Sequence, residues 1–194
     1  MGDWLMNQKE SQNTSSVAWF KLANLIENRE KEKALSVFRL LTHSLRDRAY
    51  ALQLEGDILW SLDESVRAQE KYTNSAFLYL KDKRWVHAVS IYENLLSNNP
   101  EDHSALAASI LCYGQLGWEN KFKEKLDQTC ELISKKASDP HQLSAAIKQL
   151  SDTAKELEKE DFKAILHTKI QALLASVPKF SAEKVEHGFK NHEN

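Results

Sequence analysis

From Ala49 to Pro100 the chain reads AYALQLEGDILWSLDESVRAQEKYTNSAFLYLKDKRWVHAVSIYENLLSNNP, and apolar residues recur in it every three or four positions. That is the period of one helix face. Breakers are scarce: the 194 residues hold 5 Gly and 3 Pro, too few to punctuate a chain of hairpins and loops, so long helices are predicted throughout. Twice in this stretch a small residue is followed four positions later by a tyrosine, at Ala68 with Tyr72 and at Ala88 with Tyr92. On a helix each such pair lies on one face, one turn apart. The alanine admits a neighbouring helix, and the ring fills the gap that opens beside it.

The same device occurs earlier, at Ala34 with Phe38. The pattern resembles the tetratricopeptide repeat, in which antiparallel helix pairs recur about every 34 residues, with small residues at set places and a proline after the second helix. Ala34 and Ala68 stand at equivalent places in that pattern, and Asn98-Asn99-Pro100 follows the pair Ala88 and Tyr92. The resemblance runs over about residues 15–132. It implies an all-α chain, a right-handed superhelical array of antiparallel helix pairs, with extra C-terminal helices. The organisation expected is a flexible N-terminal segment over 1–14, a repeat domain over 15–136, and helices over 137–194 that cap or extend the array.

Local signals place the elements. Ser15 or Ser16 is expected to cap the first helix, which carries Trp19, Leu22, Ala23, Leu25 and Ile26. A third helix is read over Arg46 to Trp60. Gly56 in its middle costs roughly 1 kcal/mol against alanine, which points to a close helix contact there. Asp63 is read as the cap of the fourth helix. That helix fits two registers: Ala68 and Tyr72 make it the second of one pair, while Ala76 and Tyr79 make it the first of the next. The two repeats then share a helix and are offset by about 20 residues rather than about 34. Asn99 as cap with Pro100 at the first helical position starts the sixth helix, and Gly114 to Gly117 ends it. The seventh helix is read from Trp118 to about Lys136, and Asp139-Pro140-His141-Gln142 starts the eighth. Leu143, Ile147, Leu150, Ala154 and Leu157 form a narrow seam of the kind that pairs helices. A ninth helix carries Phe162, Ile165, Ile170, Leu173 and Leu174 up to Pro178, and Ser181 is the expected cap of a short last one. Trp4-Leu5-Met6 stands out in a polar N-terminus, as a tuck against the first helices or as a docking element.

Net charge is -2, so no overall field draws the chain to nucleic acid or to a membrane. The basic runs Arg46–Arg48, Lys81–Arg84 and Lys121–Lys125 are each interleaved with acids and make no coherent positive stripe. No apolar run approaches the ~20 residues needed to cross a bilayer, and no basic start precedes an apolar core of the kind a secretory signal has. Cys112 and Cys130 cannot form a disulfide framework, and a reducing cytoplasm is the expected setting. The 7 His are scattered, so no metal centre is expected. There is no glycine-rich phosphate loop and no catalytic constellation, so the expectation is a non-enzyme without a cofactor.

In the resembled family the first helix of each pair lines a concave surface that meets the ligand. Carried onto this chain, those places fall on Trp19 and Ala23, then on Tyr50, Gln53, Asp57 and Trp60. They continue to Thr73, Phe77 and Lys81, and last to Ala107 and Leu111. Exposed aromatics beside convergent polar groups are the composition of binding hot spots. One subtype grips a terminal carboxylate through Lys, Asn and Arg; here Asn24 is near one such place, but Leu54 and Glu70 occupy others, so that clamp is not expected. The resemblance therefore implies a scaffold or adaptor holding a peptide or protein segment in its groove. The alternatives are a secretion chaperone holding a client protein, or a self-assembling module whose Leu143–Leu157 seam pairs two copies.

Overall fold

The computed structural model describes residues 16–135 and 140–176. Trp4-Leu5-Met6, Ser15, Asp139, Pro178 and Ser181 lie outside the described residues. Among those described there are nine helices and no strand. They are α1 (16–27), α2 (Lys31–Thr42), α3 (Arg48–Ser61), α4 (Ser65–Lys81), α5 (Trp85–Asn98), α6 (His103–Leu116), α7 (Glu119–Lys135), α8 (Pro140–Glu156) and α9 (Glu160–Ser176). The chain divides into two compact units, the first ending at Lys81 and the second beginning at Asp82.

The small residues do what their spacing predicts. Ala34, Ala68, Ala76 and Ala88 are fully buried, and the rings of Phe38, Tyr72 and Tyr92 are buried beside them. In the first unit α3 and α4 pair antiparallel. Lys71 meets Glu55 at 3.0 Å and Ser75 Oγ donates to the Ala49 carbonyl at 2.7 Å, so rising numbers on α4 meet falling numbers on α3; Tyr79 Oη also donates to Gln53 Oε1 at 3.1 Å. Gly56 is buried at this contact: a Cβ built on it would come within 2.7 Å of the Tyr72 ring. The packing reason predicted for that glycine is therefore a tyrosine. On the other side, α1 meets α2 through Trp19 and Phe38, edge to face with centroids 6.4 Å apart.

Turns, more than helices, show the period. Arg29 and Asp63, |i−j| of 34 residues apart, both adopt left-handed backbone. Each closes its helix in the same way: Glu30 N–H donates to the Leu25 carbonyl at 2.8 Å, and Glu64 N–H to the Leu59 carbonyl at 2.9 Å. The two turns are linked by ion pairs of Arg29 with Asp63 and of Lys31 with Glu64. Asp63 is therefore the turn residue and not the cap of α4. The same interval separates the next two left-handed residues, Lys83 and Gly117. From Asp63 to Lys83 the interval is shorter, and α4 lies between them in the chain; within the first unit α4 packs on α3.

One further helix end differs from expectation. The cap of α6 is Asp102, whose carboxylate accepts from Ser104 N–H at 2.9 Å and Ala105 N–H at 3.1 Å. Asn99 instead closes α5, and Pro100 sits in the turn between. A carboxylate reaching two orphan amide groups outcompetes an asparagine three positions earlier.

In the second unit α6 is the central helix, packed by α5, α7 and α8, and it is buried nearly all round. Leu143, Ile147, Leu150, Ala154 and Leu157 are all buried. The seam of α8 is thus covered within its own unit and does not present itself to a second copy. Between α5, α6 and α7 lies a polar knot: Lys125, nearly buried, pairs with Glu93 at 3.0 Å, and Tyr113 Oη donates to the same carboxylate at 3.1 Å. Cys112 is buried and free, its thiol pushed up to about 12 by burial, and half-buried Cys130 is raised for the same reason. Thiols held this way are poor nucleophiles.

Candidate functional site

Of the eleven places expected to line the groove, nine fall on the first unit, and Ala107 and Leu111 fall on the second. Tyr50, Gln53, Asp57 and Trp60 recur on α3 at spacings of three and four, which puts them on one face. Tyr50 and Trp60 are each 43% exposed and Phe77 on α4 is 62% exposed, so these large rings face solvent and are not core. Lys81 is exposed in the last turn of α4. Thr73 is exposed too, but its hydroxyl donates to the Gln69 carbonyl of its own helix at 2.9 Å. Trp19 is half-buried against Phe38.

Two of the polar residues on this face are held from behind by tyrosines of α4. Tyr72 Oη donates to Asp57 Oδ1 at 2.8 Å, and Tyr79 Oη donates to Gln53 Oε1. A side chain anchored in this way keeps its rotamer and loses little freedom when something binds it. Spacing predicts that the Tyr72 ring fills a gap between helices, and Tyr79 enters only as a register position. Each ring is buried, but its hydroxyl reaches through to the exposed face. A tyrosine in a core needs an outlet for its O–H, and that need was the available signal.

Between α1 and α3 the surface dips into a recess of about 250 Å³. Trp19, Leu22, Ala23 and Ile26 form its α1 wall, and Leu54, Asp57, Ile58 and Ser61 its α3 wall. Trp19, Ala23 and Asp57 were expected on the inner face and Leu54 at a place of the carboxylate clamp; Leu22, Ile26, Ile58 and Ser61 were not assigned to a site. Among the described residues, Asp57 is the one charged residue lining the recess.

Ala107 and Leu111, expected at the far end of the groove, are buried instead, at 8% and 6% exposure. With Ser104 and Gln115 they share one face of α6, and α8 lies along that face. Gln149 Nε2 donates to Ser104 Oγ at 2.9 Å, and Gln115 Nε2 donates to the Glu156 carbonyl at 3.0 Å. The helix that follows the last recognisable repeat covers those positions.

Burial, and after it the hydrogen bond to Asp57, push the Tyr72 phenol well above its ordinary 10.0. Burial first, then nearby Cys112, does the same at Tyr92, and burial first, then the Glu93 charge, at Tyr113. A folded-state value above the unfolded one means the native state keeps a proton that the unfolded chain gives up. The resulting stabilisation is complete below pH about 10 and is lost as pH rises further. We expect the phenolate absorbance of these three tyrosines to appear only together with loss of helical circular dichroism in an alkaline titration. Their ionisation while the helices remain intact would contradict the burial described.

Among the described residues no group of His, Cys, Asp or Glu is placed to hold a metal ion, and no helix is long and apolar enough to cross a membrane. No family model and no curated protein matches this chain. Among solved structures, one described as "MamA RS-1 ArsTM double mutant" is similar at 16% identity over 84% of this chain and 95% of that one, with a TM-score of 0.32.

Proposed function

We propose that this chain is a non-catalytic interaction scaffold of tetratricopeptide-like build, which holds a peptide or protein segment on the exposed face of its first unit. The observation that carries the reading is the exposure of Tyr50 and Trp60 on the α3 face that also carries the anchored polar groups Gln53 and Asp57, with Phe77 exposed on α4. Large rings left in water next to fixed polar groups are what a binding hot spot requires. The recurrence of left-handed turn residues at Arg29 and Asp63, and at Lys83 and Gly117, supports the repeat assignment.

The test is affinity purification from the native cell, with the unaltered chain and with a variant carrying Trp60→Ala and Phe77→Ala. Both side chains are exposed, so melting should stay within about 0.5 kcal/mol of the parent. Captured partner should fall by tenfold or more, since hot-spot truncations cost about 2 kcal/mol or more each. Equal recovery of the same partners by both chains would remove this face from the binding surface.

A further inference from the structure

We propose that the recess between α1 and α3 receives the side chain of an arginine or lysine from the bound segment, with Asp57 as its counter-charge. The proposal rests on the reading that this face is the binding surface, and it names the chemistry of the partner there. The recess is apolar on its walls, at Leu22, Ile26, Leu54 and Ile58, and among the described residues carries a single carboxylate. A long basic side chain has the matching make-up: an aliphatic stem that packs on apolar surface and a charged end.

The state of Asp57 favours a cation over other occupants. One of its oxygens accepts from Tyr72 Oη at 2.8 Å, which fixes the carboxylate without neutralising it. A carboxylate has about four lone-pair sites, so acceptor capacity remains for an incoming N–H. Asp57 is exposed, as are Ala23 and Ser61 beside it, so the charge faces solvent rather than the core. The Ser61 hydroxyl is already engaged, donating to the Asp57 carbonyl at 2.8 Å. Trp19 adds an indole wall, which attracts a cation more than a neutral group. The register extends the same sign of charge. Glu27 follows Ala23 by one turn on α1 and is exposed. An acidic side chain or a terminal carboxylate would meet Asp57 as a like charge.

Asp57→Asn isolates the charge, because asparagine keeps an oxygen for the Tyr72 hydroxyl while losing the negative charge. The probe is a set of peptides selected from a random displayed library on the full chain, then remade with the basic residue replaced by glutamine. The expected result is selection of peptides with an arginine or lysine at a fixed place. Their affinity should drop by about tenfold on Asp57→Asn and by a similar factor on the glutamine replacement. The two changes together should cost little more than either alone, as for one partly exposed charge pair. Unchanged melting of Asp57→Asn is the control for folding.

Selected peptides that lose binding on Trp60→Ala, yet carry no fixed basic residue and ignore Asp57→Asn, would overturn the proposal and leave the binding face standing. Peptides indifferent to Trp60→Ala, Phe77→Ala and Asp57→Asn alike would overturn both.

Discussion

Alanine at Phe122 is expected to destabilise the second unit by about 3–5 kcal/mol, the range for truncating a fully buried aromatic. Phe122 has no exposed surface, and its ring meets that of Phe162 edge to face at 4.8 Å. It also lies under Gly114, where an added Cβ would stand 3.4 Å from the ring. The side chain therefore joins α7 to α6 and to α9, and removing it leaves a void shared by three helices. Neighbours cannot close in from one side alone, which places the loss at the upper part of the range. Leucine at the same position keeps most of the volume and should lose about 1–1.5 kcal/mol. Chemical denaturation gives the magnitude, and hydrogen exchange read by segment should locate the loss in α6, α7 and α9. A loss below about 1 kcal/mol for alanine would show that Phe122 does not hold these helices together.

The second large effect is expected at Gly56, and its sign runs against helix propensity. Alanine in place of a mid-helix glycine gains about 1 kcal/mol in an isolated helix. Here the new Cβ would fall within 2.7 Å and 2.8 Å of two Tyr72 ring atoms. The ring is buried, and its hydroxyl is tied to Asp57, so it has little room to yield. We expect Gly56→Ala to lose about 1–3 kcal/mol, and Gly56→Val more, as for overpacking of a close contact. A double-mutant cycle separates the two effects. With Tyr72→Ala already in place, Gly56→Ala should become stabilising by about 0.5–1 kcal/mol, since only propensity then remains. Destabilisation by Gly56→Ala in both backgrounds would mean the clash lies elsewhere. Because Tyr72 also holds Asp57, Gly56→Ala is further expected to disturb the binding face without touching it.

What could be read from residues alone was whatever depends on neighbours along the chain. The helices and the small-to-ring pairs at Ala34, Ala68 and Ala88 follow from spacing, because residues three or four apart share a face in any helix. The need for Gly56 was legible for the same reason, though not the residue that imposes it.

The site was legible as a face and not as chemistry. Nothing local to Asp57 says that a tyrosine fifteen positions on will hold its carboxylate, and nothing local to Leu22 or Ile58 says that they wall a recess. Ala107 and Leu111 show the converse. Their register places them on an inner face, but α8 returns to lie on it, and a contact made more than thirty residues away in the chain leaves no trace in local spacing. The nearly uncharged run of α6, Ala105 to Leu116, was the one hint that this helix is enclosed on several sides. Periodicity thus determined that the chain is helical and which stripe of each helix is apolar. Only the tertiary structure decided which stripes stay open, because exposure depends on which distant helix arrives to cover them.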